Sequence, residues 1–74
     1  MDIIHDITVP LAKRNHEVAV DGVPTYRSNK TGCGQFATGC RKALRGDDKP
    51  LRGRVTVYEV TPETPAEAFK RTFN

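Results

Sequence analysis

Between Cys33 and Leu44 the apolar residues recur at spacings of three and four: Cys33, Phe36, Ala37, Cys40, Ala43 and Leu44. At 100° per residue they form a stripe roughly 120° wide, so this segment is an amphipathic helix with one face to bury. It is the clearest helix in the chain, and it needs a surface to cover. The spacing predicts a helix over about residues 34–45, ending at Gly46 in the left-handed conformation that glycine adopts cheaply, with 47–50 (Asp-Asp-Lys-Pro) as loop. Gly39 costs about 1 kcal/mol relative to Ala inside such a helix and is read as a point where another backbone packs close.

The flanking segments alternate instead of repeating at helical period. Residues 2–9 are rich in β-branched side chains, with Ile3, Ile7 and Val9 on one side and His5 between them, and read as a first strand closed by Pro10. After a loop over 10–15, residues 16–20 form a second strand with Val18 and Val20 on one face and Glu17 on the other. Asp21-Gly22 tolerates the positive φ angles of a type I′ turn, so Val23–Ser28 folds back as a third strand. Pro24 has no backbone donor, which makes that strand an edge or leaves position 24 facing solvent. Residues 54–60 are the most strand-like run, with Val55 and Val57 on one face and Thr56, Tyr58 and Val60 on the other; they read as a central strand, or one whose second face meets a partner. Thr64-Pro65-Ala66-Glu67 is a capping box opening a short helix whose buried edge is Phe69 and Phe73.

The order β-β-β-α-β-α predicts an α+β fold: a small, mainly antiparallel sheet with the amphipathic helix packed on one face and a short C-terminal helix. Seventy-four residues form one small domain spanning 1–74, and with 36% apolar residues and no Trp its core is thin. One sheet face is expected to stay open. No apolar stretch approaches the ~20 residues needed to cross a bilayer and no charged-then-apolar leader opens the chain, so a cytoplasmic protein without membrane contact is expected. Cys33 and Cys40, seven apart on one helix, would have Cα atoms ~10 Å apart, beyond the ~7 Å reach of a disulfide, and are expected to be free thiols.

The densest candidate for function is basic. Arg41, Lys42, Arg45, Lys49, Arg52 and Arg54 fall within fourteen residues, offset only by Asp47 and Asp48. Such a group attracts phosphates through counterion release, or an acidic protein face, and it also serves simply as a solvated helix back. Tyr26 and Tyr58 are the aromatic residues on strands able to stack on bases. No named nucleic-acid motif is present. Lys30-Thr31-Gly32-Cys33-Gly34 leads into the helix as a phosphate loop does, but the Walker and dinucleotide spacings are not met; a plain junction capped by Thr31 or Asn29 fits it better. Cys33 near the helix start is the better nucleophile of the two thiols, yet both lie on the apolar stripe, and His5 and His16 are not spaced as metal ligands with them. No paired-carboxylate site, catalytic residue, metal or cofactor is expected.

By elimination the chain reads as a small non-enzymatic binding protein, a regulator or inhibitor docking on a protein partner with an acidic surface through the open sheet face or the edge strand, with the basic group steering it. It opens on Met1 and resembles in size the complete reading frames common among phage and mobile-element accessory proteins. The alternative is a nucleic-acid-binding module using the six basic residues; a weaker one is a thiol-based redox or catalytic protein. A homodimer that relieves the thin core and open edge is a further expectation.

Overall fold

The computed structural model describes residues 2–73. The sheet has four strands, β1 (Ile4–His5), β2 (His16–Val20), β3 (Val23–Ser28) and β4 (Val55–Glu59), in the order β1-β3-β2-β4. β2 pairs antiparallel with both β3 and β4, while β1 lies parallel to β3. Helix α1 (Lys30–Ala43) covers one face, a single helical turn α2 (Leu51–Arg54) precedes β4, and α3 (Pro65–Phe73) ends the described chain. The α+β architecture with a mainly antiparallel sheet is as the periodicities predict.

The turn chemistry holds. Asp21 and Gly22 have φ of 53° and 79°, the paired positive values a type I′ turn demands, and Gly46 at 98° reverses the chain after α1. Beyond the turn, however, β3 carries one extra residue: Ala19 pairs with Pro24 but Val18 with Tyr26, leaving a bulge at Thr25. The bulge accommodates Pro24, which cannot donate to a regular ladder, and it re-aims every β3 side chain beyond it.

Val18, Cys33, Ala37 and Val55 form the buried core between β2, β4 and α1, with Val20, Tyr26, Phe36, Cys40 and Leu44 packed around them. The apolar stripe on the helix thus meets the valines of the alternating strands, except that Ala43 lies exposed at its end.

Six expectations need correction. The first strand is two residues, not eight, because Asp6 turns the chain: its carboxylate accepts from the Thr8 amide at 3.0 Å and from the Thr8 hydroxyl, an Asx turn that ends the extended run. α1 begins four residues early, because Asn29 caps it by accepting from the Gly32 amide at 2.7 Å, so residues 30–34 are its first turn rather than a loop. Gly39 faces open space, whereas Gly32 is the glycine under close approach: a Cβ there would run into Ser28 Oγ and meet Ser28 Cβ at 3.1 Å. β4 is an edge strand rather than a central one, and it starts at Val55 because α2 occupies residues 51–54; β3 is flanked by β1 at Tyr26 and Arg27 and is free only nearer the turn. Phe69 and Phe73 are not buried.

The two glycines separate experimentally. In urea unfolding, Gly32→Ala is expected to lose about 1–3 kcal/mol through overpacking against Ser28, while Gly39→Ala gains about 0.5–1 kcal/mol by restricting the unfolded chain.

Candidate partner-binding surfaces

The structure divides the six basic residues. Arg54 bridges two acidic groups, with Nε 3.0 Å from Asp21 Oδ1 and Nη1 2.8 Å from Asp47 Oδ2, and its side chain is only 12% exposed. It ties the β2–β3 turn to the segment after α1. The Arg41 guanidinium donates to the Val55 carbonyl at 3.0 Å, capping the start of β4. Lys42, Arg45, Lys49 and Arg52 remain exposed and make no ion pair among the described residues. Lys42 stands in the last turn of α1, where the helix dipole favours positive charge without any ligand, and Arg45 follows just beyond the cap at Leu44.

The tyrosines do not join that group. Tyr26 stacks on Phe36 at 4.2 Å between ring centroids, within the layer under α1. Tyr58 points to the opposite sheet face, where its hydroxyl donates to Glu17.

That uncovered face holds a charged network which the sequence does not advertise. Glu17, 4% exposed on the central strand, accepts from Tyr58 on β4 and from Arg27 Nε at 2.9 Å on β3. The β3 bulge sets this register: an unbulged hairpin would place Glu17 opposite Tyr26 rather than Arg27. Beside Arg27 lies His5 of β1, 3.7 Å from Glu63, whose carboxylate also accepts from Arg71 Nε at 3.0 Å. The chain leaving β4 therefore crosses to the far edge of the sheet before α3 begins. Burial and Arg71 push the His5 pKa down, so its approach to Glu63 at neutral pH is that of a neutral ring.

Two other groups are set by their surroundings. Hydrogen bonds from Thr8 and Ser28 hold the Asp6 carboxyl down at about 2, and the Ser28 hydroxyl donates to it at 2.7 Å, joining β1 to the end of β3. Burial pushes the Cys33 thiol up, the direction opposite to an activated nucleophile, and both cysteines are free. Among the described residues no three His, Cys, Asp or Glu side chains gather as a metal site, and no helix is long and apolar enough to cross a membrane.

α3 carries the largest exposed apolar side chains outside the β1 region. Its capping box forms as predicted, with Thr64 N donating to Glu67 Oε1 at 3.1 Å and Glu67 N to Thr64 Oγ1 at 3.2 Å. Arg71 turns inward to Glu63 and Ala68 is half-buried. On the other side of the helix Phe69 and Phe73 are 66% and 71% exposed, their rings 4.6 Å apart. The capping box and i,i+4 spacing mark the helix in the sequence; that its phenylalanines face away from the body depends on where the 60–64 segment carries it. Comparison with protein families, curated proteins and solved structures returned no match.

The Glu17 cluster makes an alkaline prediction. Burial and Glu17 push the Tyr58 pKa up to about 12, so its contribution to stability is whole below the unfolded value near 10 and is lost as pH rises towards about 12. Tyr58→Phe should cost about 1–3 kcal/mol at pH 7 by leaving a buried carboxylate short of a donor. It should also flatten the fall in urea midpoint between roughly pH 10 and 12.

Proposed function

We propose that this chain is a small non-enzymatic binding protein, a regulator or inhibitor, that docks α3 into an apolar groove on a protein partner. The observation that carries the reading is the exposed Phe69–Phe73 pair. A nine-residue helix is too short to be stable alone in water, and α3 touches the rest of the fold only lightly. Two phenylalanines at i and i+4 are the anchors of helix-in-groove recognition, and such a groove supplies the packing the helix lacks. Lys70 flanks the anchors and the chain carries a net charge of +3, so an acidic rim on the partner complements it.

The second reading, nucleic-acid binding, rests on Lys42, Arg45, Lys49 and Arg52, the four exposed cations of the basic run that have no acidic partner among the described residues. Tyr26 and Arg54 are engaged inside the fold and contribute nothing to it.

Two experiments decide between them. Immobilised chain should retain a specific protein from a host lysate that the Phe69→Asp/Phe73→Asp double variant fails to retain, with both proteins equally folded by circular dichroism. Labelled single- and double-stranded oligonucleotides should show no salt-sensitive binding in the low micromolar range. Micromolar affinity that falls with salt and weakens in Arg45→Ala and Arg52→Ala would replace the first reading with the second.

A further inference from the structure

β4 is the long open edge of the sheet. In its antiparallel pairing with β2, the Asp21 amide bonds the Arg54 carbonyl and the Val60 amide bonds the Asn15 carbonyl. Backbone groups of residues 54, 56, 58 and 60 therefore face β2, and those of 55, 57 and 59 face outwards. The outward groups of Val55 are already taken, its amide by the Leu51 carbonyl and its carbonyl by Arg41. The amides and carbonyls of Val57 and Glu59 have no partner among the described residues. This edge lacks the usual guards, having no proline, lysine or bulge, while the other edge is protected by the shortness of β1.

We infer that β4 pairs antiparallel with β4 of a second copy about a two-fold axis at Tyr58. Only this register fits. Centred on Tyr58, Val57 of one copy faces Glu59 of the other, and the free amides and carbonyls of both form four hydrogen bonds. Centred on Val57, the already occupied Val55 would face Glu59 and only the two bonds of the Val57 pair would form. Centred on Glu59, two like charges would stand opposed.

The Tyr58 register also joins two charges that have no ionic partner among the described residues of the single chain. Glu59 shares the α1 face of the sheet with Val55 and Val57, and Arg41 sits at the Val55 carbonyl on that same outer edge. Pairing brings Glu59 of each copy beside Arg41 of the other, twice by symmetry. On the open face the two Tyr58 side chains, each 36% exposed, become cross-strand neighbours. The contact is smaller than the roughly 800 Å² per partner of a stable interface, so the dimer is weak and reversible.

Sedimentation equilibrium from low micromolar to millimolar concentration tests this. The wild-type chain should pass from monomer to dimer, and Val57→Glu, which sets a like charge opposite Glu59 of the other copy, should weaken association at least tenfold. Val57→Pro should do the same while keeping the ladder to β2, which does not use the Val57 amide; if it unfolds, Val57→Glu alone decides. Arg41→Glu and Glu59→Arg should each weaken the dimer, and together restore it. A chain that stays monomeric at millimolar concentration overturns the inference. So does a dimer indifferent to Val57→Glu, or one abolished by Phe69→Asp/Phe73→Asp instead.

Discussion

The buried Glu17 carboxylate is the interaction on which the uncovered half of this fold depends. Its strand is central, and its neighbours Arg27 and Tyr58 come from the two flanking strands. A buried charge left alone would be strongly unfavourable, whereas one satisfied by a guanidinium and a phenol fixes the register of both strand pairs at once. On the other side of the same strand, Val18 is fully buried against α1. The sheet is thus held from one face by packing and from the other by a charged cluster, which is how a 74-residue chain with a thin core covers only one side of its sheet.

The parts of the fold that follow from local chemistry are visible in the sequence. The helix stripe, the Asp21-Gly22 turn, the terminating Gly46 and the Thr64–Glu67 capping box all depend on residues within a few positions of one another, and each forms as predicted. What the sequence hides are effects that need a distant partner or a single inserted residue. The Thr25 bulge shifts the pairing by one, and with it Arg27 rather than Tyr26 comes opposite Glu17. The Asp6 side chain ends β1 by bonding Thr8 and Ser28, the latter twenty-two residues away. Phe69 and Phe73 read as core because i,i+4 apolar pairs usually are, yet the segment after β4 carries α3 to the β1 edge beside His5 and leaves them facing outwards.

The basic run shows the same limit. Six charges close in sequence share one sign but not one role: Arg54 bridges Asp21 and Asp47, Arg41 caps a strand carbonyl, and the other four meet solvent around the end of α1. Unmet backbone bonding lies on the outer edge of β4, and exposed phenylalanines lie on α3, both outside the basic run. These two features are separate in the fold, so self-association and partner docking are compatible on one small chain.

A double-mutant cycle with Glu17→Gln and Arg27→Gln, read by urea unfolding at pH 7, tests most directly whether the Glu17 cluster organises the open face. We expect each single variant to be destabilised and the pair to be coupled by about 1–3 kcal/mol. Coupling below about 0.3 kcal/mol, with Glu17→Gln as stable as the wild type, would contradict it.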